Sequence, residues 1–253
     1  MKLIITLRVK NAMLFIEEWL NCYEKLADGI VVVDNGSDDG TYEKLMLSPK
    51  VLEIKRTEGF DEGRDNKILL NLLEKYKPDW ILTVDADEIF EKRVNRSDLN
   101  RLMNRKWVSH YRFVLFNLFK DQNHYLADNF MLNAMMRGYG RSLYRYSSDL
   151  NVKDDFIHVG ITGKDNFFLP SNLRLMHLCF LHKEYRMKVY ENYLKVDGEN
   201  ETHVKWYKRD ISILENPNLV RTLKFNNKPI YIFRDFLLFN ILYPFKLLKS
   251  IIP

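Results

Sequence analysis

The sequence predicts an α/β fold: a mixed, mainly parallel sheet flanked by helices and followed by a helical tail. Three observations carry that expectation. Four strand-like runs alternate with three helix-like runs inside the first 85 residues, the pattern of strands joined by crossover helices. The strand-like runs are unbroken and branched, as in Ile30–Val33, which suits strands covered on both faces. The intervening runs space their apolar residues three or four apart, as Leu14, Phe15, Trp19, Leu20, Tyr23 and Leu26 do, which is the period of a half-buried helix.

In chain order, Lys2–Leu7 reads as a strand and Ala12–Ala27 as a helix ended near Gly29. Ile30–Val33 is the second strand. Asp34–Thr41 is a loop, Thr41–Met46 a short helix and Val51–Arg56 the third strand. Asn66–Tyr76 is a helix stopped by Pro78, because proline disfavours helix in the residue before it, and Trp80–Val84 is the fourth strand. Beyond residue 100 the pattern changes. Trp107–Phe119, Ser142–Tyr146, Phe156–Val159 and Leu173–Leu181 read as strands, Lys183–Val196 as a helix, and 120–172 as largely irregular and polar.

The chain's 253 residues fit one large domain or two small ones, and 46% apolar with 29% charged residues is a globular composition. A disordered tail protein, a collagen-like chain and a disulfide scaffold are excluded. The two cysteines, Cys22 and Cys179, are too few for a disulfide framework or a zinc site and are expected as buried thiols in a reducing compartment. The apolar run at the start is broken by Arg8 and Lys10, so no signal-peptide core is expected. Nothing before residue 229 is long and apolar enough to span a bilayer.

The net charge of +5 comes from 39 Lys+Arg against 34 Asp+Glu. Residues 221–253 hold six basic residues and one acid, so the tail accounts for all of it and residues 1–220 are neutral. A nucleic-acid-binding body is disfavoured, since its charge would lie on the folded part.

Ligands in parallel sheets bind beyond the carboxyl ends of the strands. In Trp80–Phe90, WILTVDADEIF, the fourth strand delivers Asp85 and Asp87, with Glu88 next. Two carboxylates one residue apart can turn toward one hard divalent cation, Mn²⁺ or Mg²⁺, that keeps positions open for phosphate oxygens. The plainer alternative is a solvated acidic turn. In VVVDNGSDDGT (31–41), Asp34 at the strand end can accept from a base, and Asp38 or Asp39 can cap the next helix. The alternative there is turn and cap chemistry alone. In EGFDEGRDNK (58–67), Arg64 and Asn66 stand where a loop enters a helix, a place suited to a diphosphate. An Arg64 salt bridge to Asp61 or Asp65 is the alternative.

These pieces, in this order, resemble the nucleotide-sugar-binding half of the GT-A glycosyltransferases, a Rossmann-like fold, and within them the family-2-like bacterial group. LRVKNAM resembles that group's R-x-K-N-E opening, with Ala12 in place of the Glu. The resemblance divides the chain into a donor half (1–100), an acceptor half (101–220) and a tail (221–253). It implies a donor-binding set of Arg8, Asp34, Asn35, Gly36, Arg64, Asn66, Asp85 and Ala86, with metal ligands Asp85, Asp87 and His177. HYLADNF, SLYRY, FIHVG and LRLMHLCFLHKEYRMKVYENYLKVD are similar in order to a bacterial branch that has an acid at Asp128 and histidines at His158 and His177.

An inverting transfer needs a base near the acceptor hydroxyl. Asp128 is the first candidate, with Asp154 and Asp155 behind it. Arg137 and Arg141 are weaker candidates for the diphosphate. His177 is read as a metal ligand or a core histidine, and His182 as a structural residue at a helix start. His110, His124 and His203 have no motif support.

Residues 229–253, PIYIFRDFLLFNILYPFKLLKSIIP, contain no uncharged run of the ~20 residues that a span requires. On a 100° wheel the charged residues from Lys228 to Lys249 fall within about 120° of arc, with most apolar residues opposite. That suits a segment lying against anionic headgroups; a packed terminal helix is the alternative. The expectation is a metal-dependent, inverting transferase at the cytoplasmic face of a bacterial membrane. It would take a nucleotide diphosphate sugar, UDP-linked by preference, to a glycan or lipid-linked acceptor in surface polysaccharide assembly, with no nucleic-acid partner. The rivals are a nucleotidyltransferase, which wants a Gly-rich first loop where LRVKNAM has none, and a haloacid-dehalogenase-type phosphotransferase, disfavoured by Ile89 four residues after Asp85. A degenerate, ligand-binding scaffold is the non-enzyme rival.

Overall fold

The computed structural model of the protein describes residues 1–127, 142–152, 160–163, 169–197 and 201–225. The chain forms two compact units, Met1–Val114 with Gly140–Leu175, and Leu115–Tyr139 with Met176–Pro253.

The first unit opens β1 (Leu3–Val9), α1 (Met13–Tyr23), β2 (Gly29–Asp34), α2 (Thr41–Met46), β3 (Val51–Arg56), α3 (Glu62–Tyr76) and β4 (Trp80–Thr83). Then come β5 (Glu88–Phe90), α4 (Arg96–Met103) and β6 (His110–Phe119), the last of which continues into the second unit. β1 pairs in parallel with both β2 and β4, and β2 with β3. The order β3-β2-β1-β4 is that of one half of a doubly wound α/β sheet. On its far side β4 pairs antiparallel with β8 (Ser142–Arg145), and β8 with β6, so the sheet is mixed.

Alternation places Ile4, Val31, Val33 and Ile81 on the face that packs against Leu69, Leu72 and Leu73 of α3. Leu3, Ile5 and Leu7 are equally buried on the other face, which explains the unbroken apolar runs. β9 (Asn151–Val152) pairs antiparallel with β10 (Ile161–Thr162), and β11 (Leu169–His177) pairs with β5 and β6.

In the second unit β6 meets β7 (Asp121–Leu126), and β7 meets β12 (Thr222–Lys224), both antiparallel. Helices α5 (Lys183–Val196) and α6 (Glu201–Glu215) pack through Tyr193 and Tyr207, with ring centres 5.2 Å apart. Their shared core includes Phe119, Leu126, Cys179, Phe180, Tyr190, Ile213 and Leu214.

Several boundaries depart from the sequence reading. α3 starts four residues before Asn66, because the Asp61 carboxylate accepts the Arg64 N–H and caps the helix there. The strand expected over Leu173–Leu181 ends at His177, and Cys179 lies in a 3-10 turn. Trp107 and Val108 precede β6 rather than opening it. β7 lies inside the stretch read as irregular. Phe156–Val159 lies outside the described residues. Cys179 is buried as expected, but Cys22 is half-buried, and desolvation pushes its thiol up to about 11.

Candidate functional site

β4 carries the chain to the carboxyl edge of the parallel strands. There Asp85–Glu88 form a turn closed twice. The Glu88 N–H donates to the Asp85 carbonyl at 3.1 Å, and the Asp85 N–H donates to the Glu88 carboxylate at 3.0 Å. α1 supports the turn from behind, since the buried Tyr23 hydroxyl donates to the Glu88 carbonyl at 3.0 Å. Glu88 is 1% exposed and Asp87 9%, Ala86 is buried as well, and Asp85 is half-buried.

One carboxylate oxygen each from Asp85, Asp87 and Glu88 lies within 4.8 Å of the others. Carboxylates held that close in a partly buried turn repel one another, and a cation between them removes that cost. The donor atoms are all oxygen, which fits Mg²⁺ or Mn²⁺ and disfavours a soft metal. The sequence singled out Asp85 and Asp87 as a carboxylate pair, and the structure brings them together. Glu88, which shapes the turn, was legible only as the next acid in line; its signal is a charged residue opening an otherwise apolar strand.

The loop after β2 lies beside the end of β1: the Asn35 N–H donates to the Val9 carbonyl at 2.8 Å. Asp34 is fully buried. Its carboxylate accepts the Ser37 N–H at 3.2 Å and the Arg56 Nε–H at 3.0 Å, so turn and ion-pair chemistry occupies it. Gly36 sits at φ +71, the left-handed region. Asn35 is buried, and its Nδ2 donates to Thr57 Oγ1, the Gly59 carbonyl and Asp65 Oδ2. Its Oδ1 has no partner among the described residues.

Neither candidate stands at the N-cap of α2, which is Gly40; Asp39, one residue earlier, accepts the Thr41 N–H at 3.0 Å, while Asp38 exchanges hydrogen bonds with Asn11. Partial burial pushes the Asp39 carboxyl up. Hydrogen bonds from the Thr41 hydroxyl and the Met13 and Thr41 backbone outweigh that and hold it below its usual range.

Arg8 points its Nη2 at Glu62 Oε1, 2.7 Å away at the start of α3, and its buried Nη1 has no partner among the described residues. Arg64 is engaged differently from the diphosphate grip the sequence allowed. Its guanidinium pairs with Asp65 at 2.8 Å and donates to the Glu58 and Gly59 carbonyls, the salt-bridge alternative. Asn66 is buried in the first turns of α3.

In the second unit His177 ends β11, with Nδ1 2.6 Å from Asn117 Oδ1 and Nε2 3.2 Å from Cys179 Sγ. His182 stands at the start of α5, as expected. His124 pairs with Asp121 and His203 with Asp197. Asp128, Asp154, Asp155, Arg137, Arg141, His158 and the tail 229–253 lie outside the described residues. Among the described residues no helix is long and apolar enough to cross a membrane.

No family profile matches the chain, and no curated protein matches it by sequence. Solved structures do. A mannosyltransferase from Pyrobaculum calidifontis in complex with GDP-Man and Mn²⁺ is 16% identical at a TM-score of 0.41, over 57% of this chain and 44% of that one. S. aureus TarS 1–349 in complex with UDP is 15% identical at 0.44, over 77% and 66%. Mannosyl-3-phosphoglycerate synthase from Rubrobacter xylanophilus is 16% identical at 0.41, over 57% and 53%. The chain thus spans less than two thirds of each. At these values the likeness carries no argument about activity; what the site can do rests on its own residues.

Proposed function

We propose that the chain is a metal-dependent glycosyltransferase. It moves a sugar, with inversion at the anomeric carbon, from a nucleotide diphosphate donor, UDP-linked by preference, to a hydroxyl of a glycan or lipid-linked acceptor. The observation that carries this reading is the acidic turn: three carboxylates within 4.8 Å at the carboxyl end of the strand beside β1.

In this proposal Asp85 and Asp87 would hold Mn²⁺ or Mg²⁺, and Glu88 fixes the turn. A bound divalent ion there offsets the charge that builds on a departing diphosphate. Asp34, Asn35 and Gly36 form the wall against which the base lies. The unpartnered Nη1 of Arg8 and Oδ1 of Asn35, on neighbouring strand ends, suit polar atoms of a nucleotide. Asp128, with Asp154 and Asp155 behind it, takes the acceptor's proton. The acceptor oxygen bonds to the anomeric carbon as the bond to the diphosphate breaks. The basic tail is proposed to hold the chain at the cytoplasmic face of a bacterial membrane, in surface polysaccharide assembly.

A nucleotide-sugar panel scored by thermal shift, with and without Mn²⁺ or Mg²⁺, tests donor class and metal need together. Metal-dependent donor hydrolysis separates an enzyme from a binding scaffold, which would show none. Intact turnover in Asp85→Ala/Asp87→Ala, or no nucleotide-sugar binding with either ion, overturns the proposal.

A further inference from the structure

The neutral body hides a second concentration of positive charge. From Lys92 to Trp107 the chain has six basic residues and one acid. Three of the six are ion-paired: Arg96 with Asp28 (it also donates to the Met1 carbonyl), Arg93 with Glu91, and Arg101 with Asp98. Arg101, Arg105 and Lys106 are exposed on the end of α4 and the turn after it, and Trp107 follows them 69% exposed.

An exposed indole on a mobile loop would mean little. This one is held out by a rigid turn. Arg145 Nη2 donates to the Arg105 and Val108 carbonyls at 3.1 and 3.2 Å, and its guanidinium lies 4.5 Å from the Trp80 ring. The Tyr111 hydroxyl donates to the Leu102 carbonyl at 2.8 Å, and the Val108 N–H to the Arg105 carbonyl at 3.1 Å. The buried Tyr111 and the half-buried Arg145 thus fix a short segment whose outward face carries Arg105, Lys106 and an indole, with Arg101 paired to Asp98 beside them.

We infer that the Arg101–Trp107 turn is a docking surface for a bilayer bearing anionic phospholipids. Tryptophan favours the headgroup level, where its ring is shielded and its N–H stays wet. Each nearby Lys or Arg strengthens binding to an anionic leaflet about fivefold at physiological salt. A rigid turn loses little conformational freedom on docking. Single-stranded nucleic acid would call for several stacking rings along a groove, and this turn offers one.

The register fixes what such docking does to the site. Arg145 lies opposite Trp80, the first residue of β4, so the turn sits at the amino edge of the sheet. Asp85 lies five residues further along, roughly 17 Å away in extended chain. Docked by this edge, the protein presents its acidic turn away from the lipid, where a soluble ligand reaches it and headgroup phosphates do not compete. The inference stands independently of sugar transfer.

The test uses the full chain with vesicles of phosphatidylcholine alone or mixed with phosphatidylglycerol, some brominated in the acyl chains. Co-sedimentation should require phosphatidylglycerol and fall with salt. Bromolipid should quench the wild-type emission, and Trp107→Phe should lose most of that quenching, because Trp19 and Trp80 are fully buried and Trp206 is half-buried. Arg105→Gln/Lys106→Gln should bind more than tenfold more weakly. Equal quenching in Trp107→Phe, equal binding by the charge variant, or no binding by the wild type overturns the inference. Binding through the tail alone would give sedimentation without Trp107-dependent quenching and overturns it too. So does binding of a single-stranded oligonucleotide through this turn with no bromolipid effect. None of these outcomes bears on sugar transfer, which vesicles do not probe.

Discussion

Glu88 and Asp85 hold each other through the backbone: the Glu88 carboxylate accepts the Asp85 N–H at 3.0 Å while the Asp85 carbonyl accepts the Glu88 N–H at 3.1 Å. The third acid of the turn therefore shapes the position of the first. Glu88→Ala leaves a part-buried N–H without its acceptor, which costs about 1 kcal/mol, the low end for such a group. Glu88→Gln keeps an acceptor and removes a charge. We expect Glu88→Ala to lose both stability and Mn²⁺ binding, and Glu88→Gln to keep stability while binding Mn²⁺ more weakly. Urea melts and Mn²⁺ titration followed by electron paramagnetic resonance read the two effects. Wild-type Mn²⁺ affinity in Glu88→Ala would sink the positioning role.

Asp34 is fully buried with Arg56 Nε and the Ser37 N–H on its carboxylate. A hydrogen bond to a charged group contributes about 1.5–3 kcal/mol. Asp34→Asn should therefore destabilise the protein by that order, and Arg56→Gln by less, since the Ser37 N–H remains. The unfolding midpoints in urea check this. A neutral Asp34→Asn would mean that the ion pair does not anchor the turn.

The parallel strands and helices of the first 90 residues were legible because their signals are local. Ile30–Val33 is a continuous branched run between turn residues, and D-x-D follows directly on another apolar run, Trp80–Val84. What was missed depends on distance in sequence. Nothing near Arg8 announces Glu62, and nothing near Asp34 announces Arg56, because parallel pairing brings those groups together across crossovers. The start of α3 was misplaced because Asp61–Asp65 is polar, and the cap is visible only once the Asp61 carboxylate is seen on the Arg64 N–H. The turn at Cys179 was read through as strand because its apolar residues continue β11 without a break.

His110 yields a pH prediction whose sign can be worked out. Burial, helped by nearby Arg112, pushes its imidazole down from 6.5 to about 3. The folded protein thus keeps it neutral where the unfolded chain takes up a proton. Its contribution is fully present above about pH 6.5 and is lost as pH falls toward 3, with a limiting slope of about 1.4 kcal/mol per pH unit. Between pH 6.5 and 5 carboxylates such as Glu53, held down to about 2 by Lys75 and Lys55, do not titrate. Urea midpoints across that window should therefore fall less steeply in His110→Phe than in the wild type. Parallel slopes would show that His110 is not the group responsible.

Gly36 is the backbone hinge of the proposed base wall. At φ +71 it occupies a region that side chains disfavour. A Cβ there would meet only the Thr57 carbonyl oxygen at 3.5 Å, an ordinary contact. The cost of Gly36→Ala is thus conformational, about 1–2 kcal/mol, and Gly36→Asn should cost less because asparagine tolerates this region. Two links depend on the turn: the Ser37 hydroxyl accepts the Asn11 N–H at 2.9 Å, and the Arg56 Nη2 donates to the Ser37 carbonyl at 2.8 Å. If alanine flattens the turn, both links loosen, and hydrogen exchange at Asn11 and Ser37 should quicken beyond what the global loss of stability produces. Asparagine should leave both amides near wild type. Equal stability of the alanine and asparagine variants would show that the turn relaxes at no cost, and Gly36 would then not fix the loop beside Asp34.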